Sequence, residues 1–365
     1  MRARNLAVVL DAIYRTGPHT RAALAELTGL TKTTVSSLVA DLLEAGAVTE
    51  SGAVRGGERG RPGVAVSLSG HRVATLGLEI NIDYLAACVV DLTRQVRLRR
   101  IVSADNRNSD SGLVLERLRD LMKETTAQAE RAGLRVIGTA LAVPGTVEGG
   151  TLRNAPHLGW RDVRVADLTL DNEANLGALG ELWFGSRASD FLYVSGEIGI
   201  GAGLVVGGSV FRGTYGLAGE LGHVVVVPDG PACRCGGRGC LEVYAGQDAL
   251  LGPLESVGAL VAALEAGDPR ALESCGRAGH ALGVALTSAV HLLDPGRIVL
   301  GGVFAALFPW LRGPVGEALE SRLGPMRGTP PPLVVSGIGA DAAVLGAAGL
   351  VIQRVLADPA QVLGL

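Results

Sequence analysis

The sequence predicts a mixed α/β protein with a small helical head and a larger body of two α/β lobes. Three observations lead to this prediction. The first 68 residues have the pattern of three helices and a hairpin. After residue 73, strand-like runs precede helical runs twice. A chain of 365 residues is also too long to fold around one small hydrophobic core. The hydrophobic content of 48% and the charged content of 19% are typical of a globular chain rather than a disordered one.

The three helices of the head are predicted from apolar spacing and capping residues. The apolar residues of the first helix recur at helical spacing, namely Leu6, Val9, Leu10 and Ile13. Gly17-Pro18 ends that helix, Thr20 is a favourable N-cap for the second helix, and Gly29 is its stop. Thr31 caps a third helix, which Gly46 ends.

The third helix has one apolar side and one polar side. Its apolar stripe consists of Val35, Leu38, Val39, Leu42 and Leu43. The opposite side of its first two turns offers short donors and acceptors, namely Lys32, Thr33, Thr34, Ser36 and Ser37. Because such side chains suit contacts with phosphates and base edges, we expect this face to bind DNA.

Two alternating runs after the third helix predict a hairpin. Residues 47–52 and 63–69 form the runs, and the connection between them carries Arg55, Arg59 and Arg61. Three helices followed by such a hairpin make a winged helix-turn-helix, whose wing arginines are expected to contact DNA. Residues 1–70 have a net charge of +2 and the remainder −5, which is the sign that phosphate contact needs. The alternative is a protein-contact module whose wing arginines are merely solvated.

Whole-chain composition excludes several classes of protein. The formal net charge of −3 is not that of a nucleic-acid-binding polycation. The N-terminal apolar run is short and interrupted by Asp11, so no signal peptide is expected, and no uninterrupted apolar run reaches the length of a membrane span. Five cysteines, three of them close to a histidine, indicate metal binding in a reducing cytoplasm rather than a disulfide framework.

The body is predicted to alternate strands and helices. Strands are expected at residues 74–80, 84–92, 96–104, 136–145, 190–196, 199–208, 224–228 and 297–303. Helices are expected at residues 113–133 and 280–295, and residues 334–356 are expected to form a strand, a Gly/Ala turn and a final helix. Two successive blocks of strands and helices predict two α/β lobes around a cleft.

Four potential metal ligands lie in one short window of the second lobe. They are His223, Cys233, Cys235 and Cys240. One imidazole and three thiolates fit a closed, tetrahedral, structural zinc site. Glu220 and Glu242 flank the set, so a metal that fixes this loop would also fix two carboxylates. A cluster of buried thiols is the alternative, and Cys88 and Cys275 are expected to be plain core residues.

Four motifs of the body occur in combination. They are Glu220-Leu221-Gly222-His223 followed by residues 233–242, Asp171-Asn172-Glu173-Ala174-Asn175, Leu293-Asp294-Pro295 with Leu300-Gly301-Gly302, and residues 339–346. Together they resemble the motifs of the ROK family (repressors, open reading frames and sugar kinases), and the resemblance covers essentially the whole chain. It implies a two-lobed actin-like ATPase fold behind a winged helix-turn-helix, which is the arrangement of the family's repressor branch.

This resemblance implies three domains. Residues 1–70 would be the winged helix-turn-helix DNA-binding domain, and residues 71–185 the first α/β lobe, joined by the C-terminal helix at residues 348–365. Residues 186–347 would be the second α/β lobe, which contains the zinc site.

Three departures from the kinase pattern bear on activity. The first phosphate cradle, Asp-x-Gly-Gly-Thr-Lys in the kinases, corresponds to residues 79–84, where both glycines and the threonine are absent and Asp83 adds a repelling charge. The second cradle, Gly-Thr-Gly-x-Gly, has Ile198 in place of threonine and Glu197 nearby. At the kinase base position aspartate is replaced by Glu173, whose side chain is one methylene longer. We therefore predict a protein that is not an enzyme, without a catalytic residue.

The resemblance also implies a sugar pocket. The family's hexose-binding positions are matched by Gly145, Asn172, Glu173, Glu220, His223 and Glu242. Carboxylates and an amide can satisfy vicinal sugar hydroxyls. Asn172 and Glu173 would also suit a helix N-terminus, and a glutamate at position 173 is equally compatible with a degenerate pocket. His157 lies in a loop that the family places near the cleft mouth, and Trp160 and Trp183 are expected to pack in the core or to border a sugar ring.

These features predict a cytoplasmic, sugar-responsive DNA-binding regulator, most simply a repressor of carbohydrate uptake or catabolism genes. Its expected ligands are structural zinc, an operator duplex and a small sugar. Two-fold operators match two-fold proteins, so a homodimer or homotetramer is expected. The sugar would close the lobes and re-orient the paired heads away from the operator half-sites. The alternatives are an ATP-dependent sugar kinase with an added head and a DNA-binding protein whose body binds no ligand.

Overall fold

The computed structural model describes residues 1–54, 63–166, 168–185 and 188–365 of the chain. Within these residues a helical head with a small sheet precedes a body built on two larger sheets. The predicted fold class is confirmed.

The head forms its own layer of short elements. In chain order they are α1 (Arg2–Thr16), β1 (His19–Thr20), α2 (Arg21–Thr28), α3 (Lys32–Glu44), β2 (Val48–Val54) and β3 (Gly63–Leu68). The hydroxyl oxygen of Thr20 accepts a hydrogen bond from the amide of Ala23 (3.2 Å), and that of Thr31 accepts one from the amide of Thr34 (3.2 Å). Both predicted N-caps are therefore present. Strand β3 pairs antiparallel with β2 and with β1, which completes the winged helix-turn-helix.

The first lobe contains a main sheet and a small accessory sheet. Its elements are β4 (Val73–Ile80), β5 (Tyr84–Asp91), β6 (Val96–Ser103), α4 (Ser111–Arg131), β7 (Arg135–Val143), β8 (Thr146–Glu148), β9 (Thr151–Ala155), β10 (Trp160–Arg164), β11 (Thr169–Asn172) and α5 (Glu173–Phe184). The main sheet has the order β11-β7-β4-β5-β6, in which β4, β5 and β6 are antiparallel and β7 and β11 extend it in parallel. The short strands β8, β9 and β10 form the accessory sheet, which we did not predict from the sequence.

The second lobe repeats the strand order of the first. Its elements are β12 (Phe191–Gly196), β13 (Ile200–Val206), β14 (Ser209–Phe211), a 3-10 helix (Leu221–His223), α6 (Glu242–Ala245), α7 (Gln247–Leu251), α8 (Val257–Glu265), α9 (Pro269–Leu293), β15 (Ile298–Gly302), α10 (Val303–Ala306), α11 (Phe308–Arg327) and β16 (Leu333–Val335). The order β14-β13-β12-β15-β16 again places antiparallel strands on one side and parallel strands on the other. A 3-10 helix (Gly339–Asp341), α12 (Ala342–Ala357) and α13 (Pro359–Leu363) end the chain.

Helices α5 and α12 pack closely because glycines lie at their contact. A Cβ atom on Gly180 would clash with the carbonyl oxygen of Ala342, and one on Gly346 would clash with that of Leu176. The two backbones are therefore in direct contact. Helix α12 also packs on β4 and β7, so the C-terminal part of the chain lies against the sheet of the first lobe.

Two secondary-structure predictions are wrong. Residues 224–228 do not form a strand, because their amides bond within the loop that carries the cysteines: the amide of Val226 donates to the carbonyl of Gly239 (2.9 Å). The valine run therefore follows the loop despite its strand propensity. The single C-terminal helix predicted at residues 348–365 is instead two helices, since α12 begins at Ala342 and ends before Asp358, and α13 begins at Pro359, a residue that suits a helix start.

Among the described residues, one helical segment, Gly339–Ala357, is long and apolar enough to span a membrane. Of its most apolar window, 56% is buried inside the protein, and α12 packs there against α5 and β4. Burial of this kind accounts for its apolar character as that of a core helix.

Candidate ligand cleft and metal centre

A cleft of about 830 Å³, its open mouth included, lies between the two lobes. The turn after β7 and the start of α5 form one wall, and β13 with the 3-10 helix Leu221–His223 forms the other. The structure brings together in its lining all six residues predicted to bind a sugar: Gly145, Asn172, Glu173, Glu220, His223 and Glu242.

Asn172 joins the cleft wall to helix α5. Its side-chain oxygen accepts hydrogen bonds from two amides in the first turn of α5 (2.8 and 3.2 Å), and its Nδ2 donates to the carbonyl of Gly145 (2.8 Å). The helix-cap role considered for Asn172 is thus present. Gly145 has a φ of 113°, and a Cβ atom there would clash with the carbonyl of Asn154, so this turn requires glycine.

An ion pair crosses between the lobes beside the start of α5. Arg212 follows β14 in the second lobe, and its Nε and Nη2 lie 2.8 and 2.6 Å from Oδ2 of Asp171 on β11. Asp171 is buried, and its Oδ1 accepts the amide of Asn172 (2.8 Å). The pair therefore holds the N-terminal end of α5 to the second lobe.

Glu242 is held as an ionised carboxylate. Its Oε2 accepts the amide of Ile200 (3.2 Å), and its Oε1 lies 3.8 Å from Nε2 of His157. Burial alone would raise the pKa of Glu242, but His157, His223 and the Ile200 amide together lower it. A Cβ atom on Gly199 would clash with this carboxylate, so glycine makes room for it.

His223 faces both the cleft and the cysteine cluster. Its Nδ1 lies 3.8 Å from Sγ of Cys233, and its Nε2 lies 3.8 Å from Oε2 of Glu220. Burial raises the pKa of Glu220, and the nearby imidazole opposes that shift. A metal bound at Nδ1 would leave Nε2 to Glu220 or to a ligand in the cleft.

The predicted metal ligands converge on one point. The ligand atoms of His223, Cys233, Cys235 and Cys240 all lie within 4.8 Å of one another. The Sγ atoms of Cys235 and Cys240 are 3.7 Å apart. In a tetrahedral zinc site with Zn–S bonds of about 2.3 Å, two sulfurs are about 3.8 Å apart. The donor set and its spacing therefore fit zinc.

The thiols of this cluster have divergent acidities. The amide of Gly237 donates to Sγ of Cys235 (3.4 Å) and lowers the pKa of that thiol. Burial, with the neighbouring thiols, raises the pKa of Cys240 to about 12. Metal binding must therefore displace protons, so metal affinity rises with pH.

Arg234 and His157 meet across the mouth of the cleft. Nη1 of Arg234 lies 3.3 Å from Nδ1 of His157, and its Nη2 donates to Oδ2 of Asp248 (3.3 Å). His157 belongs to the turn between β9 and β10 of the first lobe, whereas Arg234 lies between two ligand cysteines of the second. The sequence placed His157 near the mouth only by resemblance. Nothing singled out Arg234 except its position within Cys-x-Cys.

Neither of the two tryptophans considered for the pocket belongs to the described lining of the cleft. Trp160 is buried in the core of the first lobe and donates its Nε1 to the carbonyl of Ser109 (2.7 Å). Trp183 packs against the head, with its ring centre 5.5 Å from that of Tyr14 in α1.

A small acidic cavity of about 260 Å³ adjoins the cleft through Glu173. Glu79 and Glu197 line it as well, and Oε1 of Glu79 accepts the hydroxyl of Tyr84 (2.9 Å). Burial and the charge of Glu197 raise the pKa of Glu79 to about 8, and burial raises that of Glu197 to about 7. Burial and the other two carboxylates raise the pKa of Glu173 well above its usual value. An additional anion in this cavity would be strongly disfavoured.

Side chains fill the stretch that replaces the first phosphate cradle. Ile80 and Ile82 are fully buried there. Asp83, which we expected to repel a polyphosphate, is half-exposed and pairs with Arg107 (Oδ1 to Nη2, 2.7 Å), so its charge is largely offset. The neighbouring cavity is the stronger obstacle to a phosphate, because it raises the pKa of its own acids and so disfavours negative charge.

The polar face of α3 is exposed as predicted, except at one position. Its exposed members are Lys32, Thr33, Ser36 and Ser37. Thr34 is half-buried, and its hydroxyl lies 2.8 Å from that of Thr31 within the helix cap. The hydroxyl oxygen of Ser37 accepts a hydrogen bond from Nη2 of Arg2 (3.2 Å). The predicted wing contacts Arg55, Arg59 and Arg61 lie outside the described residues.

Comparison with known proteins identifies the family to which the chain belongs. Residues 75–354 match the family model described as ROK family. The chain belongs to the ROK family. Residues 7–59 also match a MarR family model, which covers most of the head. The chain is 28% identical over 370 residues to a xylose repressor of Bacillus spizizenii, a match that covers 96% of each chain.

Solved structures of ROK proteins agree with this assignment. A ROK family transcriptional regulator, described as a homologue of the Escherichia coli MLC protein, is 25% identical with a TM-score of 0.83, over 100% of this chain and 99% of that one. A ROK glucokinase from Streptomyces griseus in complex with glucose and AMPPNP is 27% identical with a TM-score of 0.63, over 76% of this chain and 98% of that one. The likeness to the regulator thus extends over the full chain, head included.

Proposed function

We propose that this protein is a cytoplasmic transcriptional repressor that binds an operator with its head and a neutral sugar in its cleft. The convergence of three carboxyl groups, Glu173, Glu220 and Glu242, in one cleft carries the proposal. Carboxyl groups bind vicinal hydroxyls through paired hydrogen bonds, and Glu242, whose pKa is lowered, repels ligands that carry an anionic group. A ligand cleft behind a winged head is an arrangement suited to regulation.

D-Xylose and D-glucose are the first sugars to test. A relative that matches almost the whole chain is named a xylose repressor, and a similar glucokinase structure holds glucose. Both sugars present vicinal hydroxyls without charge, as the cleft requires.

Zinc is the proposed structural cofactor. His223, Cys233, Cys235 and Cys240 would hold it, and their donor chemistry and spacing support this assignment. The ion would fix the loop between the 3-10 helix and α6, and with it the position of Glu220 and Glu242 at the cleft wall.

We also propose that kinase activity has been lost. A nucleotide would have to place its phosphates beside the buried Glu79 and the half-buried Glu197, where raised pKa values mean that negative charge is disfavoured, and beside a strand end filled by Ile80 and Ile82. Phosphoryl transfer depends on positioning and on neutralising charge, and these side chains oppose both.

Operator recognition would use two heads in a homodimer or homotetramer. The exposed face of α3 would enter the major groove, and the wing would contact the flanking backbone or minor groove. Sugar binding would favour a closed arrangement of the lobes in which the paired heads no longer match two half-sites.

The second candidate function is that of a sugar kinase, which one observation favours. Glu173 occupies the position of the kinase base, lines the cleft and has a raised pKa, as general bases often do. Calorimetric titration with D-xylose and D-glucose, paired with an ADP-release assay on the same samples, separates the two functions. Saturable sugar binding without ADP release supports the repressor, and ADP release with either sugar contradicts it.

A further inference from the structure

Helix α5 runs from the sugar cleft to the DNA-binding head. Its cap, Asn172, and its first residue, Glu173, line the cleft. Its last turn carries Trp183, whose ring packs against that of Tyr14 in α1 with 5.5 Å between ring centres. Twelve residues of α-helix span about 18 Å, so one rigid element connects two distant sites.

Arg94 ties the far end of α5 to the head. It lies in the turn between β5 and β6, and its guanidinium carbon is 5.3 Å from the centre of the Tyr14 ring. Its Nη1 approaches both the hydroxyl of Tyr14 (3.4 Å) and the carbonyl of Trp183 (3.3 Å). One guanidinium group therefore contacts head and body together through a cation–π contact and two long hydrogen bonds.

The backbone at Arg94 is unusual for an arginine. Its φ is 70°, in the left-handed region where glycine or asparagine would be favoured. The fully buried Asp91 organises this turn: its Oδ1 accepts the amides of Thr93 (2.8 Å) and Gln95 (3.1 Å). The hydrogen bonds to Asp91 fix the conformation of the turn and so the direction of the Arg94 side chain. The contacts of that side chain with Tyr14 and Trp183 offset the backbone strain.

The body end of this joint is tightly packed. The close glycine contacts at Gly180 and Gly346 lock α5 to α12, and α12 with α13 also packs against α1. A shift of the α5 N-terminus would therefore not be absorbed by sliding between these helices, because interlocked backbones resist small displacements. Such a shift would reach Trp183 at the C-terminal end of α5.

We propose that Arg94 is the positioning residue that couples the sugar cleft to the head, by holding α1 against the C-terminal end of α5. This inference builds on the proposed repressor function. When α5 shifts, Arg94 and Tyr14 follow Trp183, and the head turns with them. Without this contact α12 and α13 still hold α1, so the head keeps its DNA-binding surface while its response to the cleft weakens.

The test compares the sugar response of operator binding in several variants. Arg94→Gly removes the side chain and suits the left-handed backbone, so folding should be retained. Arg94→Lys keeps the charge, and Tyr14→Leu keeps apolar contact while removing the ring. Arg117→Ala, an exposed arginine on α4, is the matched control.

The measured quantity is the factor by which D-xylose or D-glucose changes the affinity for a duplex that the unliganded protein selects from a random pool. We expect the factor to fall at least about 5-fold in Arg94→Gly and Tyr14→Leu, with partial rescue in Arg94→Lys and no change in Arg117→Ala. Sugar affinity and thermal midpoint should change little, which a merely structural role would not predict.

Two outcomes would overturn the inference, and they are distinguishable. If the wild-type protein responds to sugar and both Arg94→Gly and Tyr14→Leu respond equally, the coupling role of Arg94 is wrong while the repressor proposal stands. If neither sugar changes operator binding by the wild-type protein, the inference fails together with the proposed function.

Discussion

Nε2 of His157 lies 3.8 Å from Oε1 of Glu242, a contact that joins the first lobe to the second across the cleft. His157 and the Ile200 amide keep Glu242 ionised despite its burial, so the carboxylate is ready to accept sugar hydroxyls. The proposed sugar site therefore depends on this charge.

Glu242→Gln should weaken sugar binding by at least about 10-fold, because a charged acceptor contributes on the order of 1.5–3 kcal/mol to a hydrogen bond. Calorimetric titration with D-xylose and D-glucose measures the change. Glu265→Gln, on the exposed end of α8, is the control and should bind as the wild type does. Equal sugar affinity in Glu242→Gln and Glu265→Gln would show that Glu242 does not bind the sugar.

Cys235→Ser should release zinc and destabilise the protein. Three remaining ligands leave the tetrahedral site incomplete, and we expect zinc content to fall from one ion per chain towards zero. The thermal midpoint should fall by at least about 5 °C, a loss on the order of 2 kcal/mol. Metal analysis with differential scanning calorimetry provides both numbers.

The control for this variant is Cys275→Ser. Cys275 is buried in α9, away from the ligand cluster, so this substitution should cost stability without loss of metal. Undiminished zinc in Cys235→Ser would contradict the zinc assignment.

Glu197→Gln should stabilise the protein at alkaline pH. The folded-state pKa values of Glu79 and Glu197 are about 8 and about 7, whereas in the unfolded chain both lie near 4.5. The folded state thus retains protons that the unfolded state has lost, so stability falls as pH rises from about 4.5 to about 8 and levels off above that.

Removing one of these charges should raise the free energy of unfolding on the order of 3 kcal/mol at pH 8.5 and much less at pH 4.5. The thermal midpoint difference between Glu197→Gln and wild type, measured across this range, reports the effect. Glu265→Gln should show no such difference. A constant difference across the range would mean that Glu197 is not part of a strained acidic cluster.

Lys32→Ala should weaken operator binding and reduce its salt dependence. If Lys32 contacts a phosphate, the slope of log affinity against log salt should become shallower by about one. The chain has only one other lysine, Lys123 on α4 of the body, and Lys123→Ala is the matched control. Fluorescence anisotropy over a range of salt concentrations measures both. If the salt-dependence slopes of Lys32→Ala and Lys123→Ala were equal, the start of α3 would not contact DNA phosphate.

The sequence predicted those parts of the molecule that local chemistry determines. The helix caps Thr20 and Thr31 form as expected because each acts within one turn of chain. The His223 and cysteine cluster was predictable because its ligands fall within one loop. The six cleft residues come from distant segments, and only the resemblance to a family grouped them before the fold was known.

Other parts depend on packing that no local pattern records. Glu79 and Glu197 meet because equivalent strand ends of the two lobes face each other, so the sequence showed them only as two separate acids, one at each phosphate cradle. The pairing of Asp83 with Arg107 was invisible for the same reason. The valine run at 224–228 shows the converse, since a clear local propensity yields to the hydrogen bonds of a loop.

The central claim is that the protein senses a sugar and does not transform it. The most direct measurement is the anisotropy of a labelled operator duplex, selected from a random pool, during titration with D-xylose and D-glucose in the presence of ATP and Mg²⁺, with ADP assayed in the same samples. We predict that one of these sugars weakens operator binding at least about 10-fold while no ADP forms. ADP release, or operator binding that neither sugar changes, would contradict the account.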